Sequence, residues 1–111
     1  MDRRKIQLII TSLQQAFQSR NIQIDRFVVF GSQAEGRSHA DSDLDIIIIS
    51  DEFEGKTIFE RAQITGPVHW DIVHFFKIPL DLIAMTNDEF DTGPSLIAQY
   101  AKQGHILFAG R

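Results

Sequence analysis

Gly31 to Asp45 reads GSQAEGRSHADSDLD. Arg26-Phe27-Val28-Val29-Phe30 stands before it as a buried strand that runs straight into Gly31-Ser32. After a polar excursion the chain re-enters a strand with Asp43-Leu44-Asp45 and four isoleucines, Ile46 to Ile49. Alternate strand residues share a face, so Asp43 and Asp45 project together, roughly 6–7 Å apart at Cα, while Leu44 points the other way. Carboxylates form strands poorly, and two on one face repel. A bound divalent cation is the simplest compensation, and hard oxygen donors suit Mg²⁺. Gly31 lets the backbone turn sharply and approach a ligand. Ser32 offers a hydroxyl, and the N–H groups after it are expected to open a short helix, whose N-terminus attracts anions. A phosphate cradle beside paired carboxylates is what phosphoryl or nucleotidyl transfer requires.

Two other motif readings fail on physical grounds. Gly31 to Ser38 approaches a P-loop, but Arg37 replaces the lysine and only Ser38 to Ser42 separate it from the next strand, where a long helix is needed. Asp41, Asp43, Asp45 and Glu52 fall at positions 1, 3, 5 and 12 of a calcium loop, but Ile46 takes the place of the turn glycine.

With 111 residues and no cysteine, the chain is expected to form one domain over residues 1–111, without a disulfide framework or thiolate metal site. The basic start, Met1-Asp2-Arg3-Arg4-Lys5, leads into an amphipathic segment and not an apolar signal core. No apolar run reaches membrane-spanning length, so a soluble, cytoplasmic protein with no membrane contact is expected. A net charge of −4 argues against sequence-independent binding of nucleic acid.

Ile6, Ile9, Ile10, Leu13 and Phe17 recur at helical spacing and predict a helix over about residues 3–19, ended by Asn21. Strands are expected over 26–31 and 43–50, the second buried on both faces and therefore central. The segment between them reads as a solvated loop in which Asp41 and Ser42 make turn bonds and His39 lies at the surface. Asp51 to Gly55 reads as an acidic loop with Glu52 and Glu54 solvated. Thr57 to Ile64 predicts a helix with Ile58, Ala62 and Phe59 toward the core, broken by Gly66-Pro67. Val68 to Phe76 fits either a helix or a strand, and His69, Asp71 and His74 straddle a helical face too widely for a metal cluster. Pro79 starts a strand with Leu80, Leu82 and Ala84 on one face and Asp81, Ile83 and Met85 on the other. Thr86-x-x-Glu89 is a capping box. Pro94 to Gln103 predicts a helix with Leu96, Ile97, Tyr100 and Ala101 inward and Gly104 at its cap, and Ile106 to Phe108 a last strand.

Gly-Ser, ten residues, then Asp-x-Asp resembles the signature of the DNA polymerase beta-like nucleotidyltransferase superfamily, and Gly31, Ser32, Asp43 and Asp45 match it without gaps. Asp51 to Lys56, Pro79 to Leu82 and Thr86 to Phe90 extend the likeness to the minimal nucleotidyltransferases, small proteins often encoded beside a HEPN-domain toxin. Such proteins often carry arginine where this chain has Gln33 and Glu35, leaving Arg37 as the cation of the segment. The resemblance implies an α+β fold, with a mixed, twisted sheet of four or five strands and helices mainly on one face. It also implies transfer of a nucleoside monophosphate, AMP from ATP, to a hydroxyl. Gly31 and Ser32 would bind phosphates, Asp43 and Asp45 would hold two Mg²⁺ ions, and a third carboxylate would complete the nucleophile side. We assign that third role to Asp81, with Asp71 as the alternative.

A domain of this length has little surface for an acceptor, so the acceptor site is expected to be shared with a partner or a second copy. The resemblance implies an antitoxin role with a HEPN protein as substrate. An acidic chain favours a neutral acceptor hydroxyl, a tyrosine above all, over free nucleic acid. Phe53, Phe59 and Trp70 are candidates for that contact, although large apolar residues more often join the core. Two other readings are a binding protein that neutralises its partner by contact alone, and a transferase acting on a small molecule such as an aminoglycoside.

Overall fold

A computed structural model describes residues 1–31 and 43–103, and the backbone of 106–109. Among these residues eight regular elements follow in order: α1 (Arg3–Gln18), β1 (Arg26–Phe30), β2 (Leu44–Ile49), α2 (Ile58–Phe76), β3 (Leu80–Met85), α3 (Asn87–Asp91), α4 (Leu96–Gln103) and β4 (Ile106–Ala109), with a 3-10 turn at Asp51–Phe53 after β2. The strands form one mixed sheet in the order β3-β2-β1-β4. β1 runs antiparallel to β2 and β4, and β2 runs parallel to β3. The domain is α+β.

α1 starts where the Asp2 side chain accepts the Lys5 N–H at 2.9 Å, and it buries the five apolar residues that its spacing predicts. Asn21 closes the turn after it in the left-handed region, at φ 61°. β2 is central, as its isoleucine run requires. Leu44, Ile46 and Ile48 pack with Phe27, Val29 and Leu80 under α1 and α2. Ile47 and Ile49 face the other way, against Phe90 of α3 and Ala98 and Ala101 of α4. The helices do not lie mainly on one face as expected: the two long ones share one face and the two short ones cover the other, because a strand apolar on both sides needs cover on both.

The largest departure from the sequence reading is α2. Gly66-Pro67 does not end it; one helix runs from Ile58 to Phe76 with Pro67 inside. A proline costs an internal helix about 3 kcal/mol through one missing hydrogen bond and a carbonyl clash. Burial of Val68 and Ile72, with Ile64, Val73 and Phe76 packed alongside, offsets that loss across the break. The start is fixed by a reciprocal box: Glu60 N–H donates to Thr57 Oγ1 at 3.1 Å, and Thr57 N–H to Glu60 Oε1 at 2.8 Å. Lys77 ends it in the left-handed region.

Three packing expectations are corrected. Ile58, Phe59 and Ala62 face solvent, because α2 turns the opposite side toward the sheet. Phe53 is buried, as expected of a large apolar residue, but Phe59 and Trp70 are exposed. On α4 it is Ala98 and Ala101 that lie inward, while Leu96, Ile97 and Tyr100 are exposed. Small residues let this short helix sit close on β1, so its large side chains splay outward. The expected capping box at Thr86 and Glu89 is present, and Gly104 lies outside the described residues. Among the described residues no helix is long and apolar enough to cross a membrane.

Candidate active site

The parallel register of β2 and β3 sets Asp45 directly opposite Asp81. Neighbouring strands lie about 4.8 Å apart, and side chains opposed in register leave the same face of the sheet. Both carboxylates therefore point away from α1 and α2, toward the face of Ile47, Ile49 and Met85. Asp43, two residues before Asp45, is exposed at the same strand start. Asp45 and Asp81 thus meet, although 36 residues separate them in sequence, and the charge of Asp43 is felt at Asp45.

Their electrostatics follow from this crowding. Partial burial pushes the Asp45 carboxyl up to about 6, reinforced by its hydrogen bond to Asp81 and by the negative charges of Asp81 and Asp43. When protonated, Asp45 donates to Asp81; near neutral pH Asp45 is mostly ionised and is repelled by its neighbours. On the other side, Phe30 is the register partner of Asp45 across β1. The Tyr100 ring stands edge-on to Phe30, with centroids 6.2 Å apart.

Gly31 is built into this arrangement. It is buried at the end of β1 with φ +75°, and a Cβ added to it would stand 2.5 Å from Asp45 Oδ2. The space that glycine leaves is the space the carboxylate uses. Ser32, Gln33, Glu35, Arg37, Ser38, His39, Asp41 and Ser42, the remainder of the expected phosphate-binding loop, lie outside the described residues.

Asp71 is elsewhere. It lies on α2, on the other side of the sheet, and pairs with Arg20 of the α1 end at 3.7 Å. His69, Asp71 and His74 do not converge, as their spacing predicts. His69 Nε2 bonds to the Leu80 carbonyl, and His74 stacks on Trp70 with centroids 3.8 Å apart. The His69 bond holds the backbone one residue before Asp81, a positioning contact that no local sequence pattern announces.

A second anchor on β3 was equally invisible in the sequence. Arg61 of α2 donates to the Ala84 carbonyl at 3.2 Å and to both oxygens of Glu89 at 2.6 and 3.2 Å. These bonds hold the Glu89 carboxyl below its ordinary value. Arg61 thereby ties α2 to the outer edge of β3 and to α3. Replacing Arg61 with methionine is expected to destabilise the fold by about 1–2 kcal/mol after allowance for solvent screening. Chemical denaturation at neutral pH checks this. The difference from wild type should shrink as pH falls through the lowered Glu89 value, since a depressed carboxyl contributes above its unfolded pKa and loses that contribution on protonation. Beside this anchor runs a groove of about 640 Å³ lined by Ile58, Thr65, Leu82, Ile83 and Pro94. Neither Asp45 nor Asp81 lines it.

The donor chemistry suits a hard cation: Asp43, Asp45 and Asp81 offer oxygen only, and the charges of Asp81 and Asp43 disfavour ionised Asp45. Among the described residues no three acidic or histidine side chains stand together closely enough to hold a metal ion by themselves.

Fold and site together define an α+β domain with clustered carboxylates at the start of two parallel strands, a class suited to metal-dependent phosphate chemistry. The chain belongs to the nucleotidyltransferase domain family, which matches residues 8–105. Among solved structures, a Sulfolobus solfataricus protein provisionally described as a nucleotidyltransferase superimposes with a TM-score of 0.59 at 18% identity, over 93% of this chain and 80% of its own. A toxin–antitoxin solved with AMP-PNP superimposes with a TM-score of 0.60 at 13% identity, over 88% of this chain and 70% of its own. No curated protein matches the chain. The family bears out the likeness read from Gly31 to Asp45, and the two structures share the fold.

Proposed function

We propose that this protein transfers a nucleoside monophosphate, AMP from ATP, to a hydroxyl on a partner protein, and that Asp43, Asp45 and Asp81 carry the reaction. The observation that supports this most is the register match of Asp45 with Asp81, which sets two carboxylates side by side on one face. Mg²⁺ ions held by these residues would supply charge neutralisation to the triphosphate and lower the pKa of the acceptor hydroxyl. Asp43 and Asp45 serve the triphosphate side. Asp81, exposed at the outer strand, serves the acceptor side and takes the hydroxyl proton. Gly31 keeps the Asp45 carboxylate in place, and Ser32 binds the departing phosphates.

The family supports the reaction type, and the toxin–antitoxin neighbour supports a protein acceptor. On this reading the partner is a toxin of the HEPN kind, the acceptor is a tyrosine, and the reaction runs in the cytoplasm, where ATP and Mg²⁺ are at hand. Intact-mass spectrometry of the partner encoded beside this protein, incubated with it, ATP and Mg²⁺, tests the proposal. An added AMP mass is expected with wild type. Asp81→Asn should retain nucleotide binding but cut transfer at least about 10²-fold, a typical contribution of a positioned acid or base, whereas Asp71→Asn should leave the rate unchanged. A partner that is inhibited but unmodified by wild type and Asp43→Asn alike would establish neutralisation by contact alone.

A further inference from the structure

Asp81, Asp45 and Phe30 form one row across the sheet. They stand in register on β3, β2 and β1, so their side chains leave the same face at the same level. Asp81 ends the row at the open edge, since β3 is the outermost strand. At the other end Phe30 is buried, and the Tyr100 ring of α4 stands edge-on to it.

α4 brings a large ring to this point through small neighbours. Ala98 and Ala101 are fully buried in one cluster with Val28, Phe30, Ile47 and Ile49, so the helix lies close to the sheet. Tyr100 projects beside them to meet Phe30 and stays 49% exposed. The exposed rings of Phe59, Trp70 and Phe75 belong to α2, which covers the opposite face. Among the described side chains, Tyr100 is therefore the one exposed aromatic of Phe, Tyr or Trp type on the face of the carboxylates.

We propose, on the nucleotidyltransferase reading above, that the Tyr100 ring carries the purine base of the bound nucleotide, stacked on its open face. On that reading the cation at Asp45 holds the triphosphate and Asp81 serves the acceptor. The acceptor thus takes the Asp81 end of the row, and the nucleoside is left the Phe30 end. One strand spacing of about 4.8 Å and the 6.2 Å ring contact separate Asp45 from Tyr100, a span that a nucleoside covers between its α-phosphate and its base. A purine offers a flat π-face, and stacking of a base on an aromatic side chain needs no hydrogen-bond match. Phe30 assists from below. Its edge-on contact holds the Tyr100 ring in one orientation, so little freedom is lost when the base arrives. An acceptor protein seated on Tyr100 would instead approach from the end of the row remote from Asp81.

Calorimetric titration of the full chain with Mg²⁺–ATP and with Mg²⁺–tripolyphosphate tests this, because the two ligands share the phosphates and differ in the nucleoside. Tyr100→Ala should weaken ATP binding about tenfold and leave tripolyphosphate binding unchanged. Tyr100→Phe, which keeps the ring, should bind both as wild type does. Tyr100→Leu keeps apolar bulk against Phe30 without a flat face. It should behave as Tyr100→Ala and serves if that variant folds poorly. A Tyr100→Ala variant that binds ATP as wild type does, or that loses ATP and tripolyphosphate equally, would overturn the role of Tyr100 and leave the carboxylate site standing. Wild type that binds neither ligand would remove the nucleotidyltransferase reading, and the stacked base with it.

Discussion

Asp45→Asn is expected to abolish nucleotidyl transfer and at the same time to raise the melting temperature of the metal-free protein at pH 7.5. Both effects come from one carboxyl. Transfer requires full negative charge at Asp45 to hold the cation on the triphosphate, and removing one such electrostatic contact costs about 10²–10³-fold in rate. Stability responds in the opposite sense. In the folded chain Asp45 is raised from 3.8 to about 6 by partial burial and by Asp81 and Asp43. Between those two values the folded state binds more protons than the unfolded state, so stability is fully present below pH 3.8 and declines as pH rises toward 6. Asp45 is partly open to water, so the full shift does not convert to free energy. After screening, the loss is on the order of 1 kcal/mol. For a domain of this size that corresponds to about 4–8 °C.

Asparagine carries no charge to repel Asp81 and retains an amide that can donate to it. The variant should therefore melt several degrees above wild type at pH 7.5 and match it near pH 4. The lowered Glu89 carboxyl acts with the opposite sign but is common to both proteins, so the difference between their pH profiles isolates Asp45. Mg²⁺ with ATP should stabilise wild type by linkage and leave the variant with Asp43→Asn and Asp45→Asn unshifted. A parallel pair of pH profiles for wild type and Asp45→Asn would remove the repulsion argument. An undiminished Mg²⁺–ATP shift in the double variant would move the nucleotide site elsewhere.

Gly31→Ala should also cut activity, without removing a charged group. The added methyl would lie 2.5 Å from Asp45 Oδ2, well inside contact distance, and the residue would have to hold φ +75°. The strain of that backbone conformation is about 1 kcal/mol for a residue with a Cβ. The clash adds to it and forces the carboxylate aside. A displacement of about 1 Å at a reacting centre costs on the order of 10²-fold in rate. Gly55→Ala is the matched control, because Gly55 has φ +74° and nothing within 4 Å of its Cβ position. It should lose the same strain energy in denaturation and retain full transfer. If Gly31→Ala and Gly55→Ala lose stability equally and both remain active, Gly31 is a turn residue and nothing more.

Local periodicity was enough to determine α1, β1, β2, β3 and the Thr86 box, because each is written within one turn or one strand. The isoleucine run placed β2 in the sheet centre, and the parity of Leu80 to Met85 put Asp81 on the face opposite Leu80 before any fold was known. The pairing of Asp45 with Asp81 was decided by tertiary structure alone. Register between distant strands is set by how the whole sheet closes on its core, and a shift of one residue would have sent Asp81 to the other face. The same holds for Asp71, whose placement beside Arg20 depends on how α1 and α2 cross. α2 shows the limit most clearly. Gly66-Pro67 is a local stop signal, and burial of Val68 and Ile72 beneath α1 overrides it. Local signals act through a few kcal/mol of backbone preference, and the continuous core that opposes them exists only once the distant elements have met.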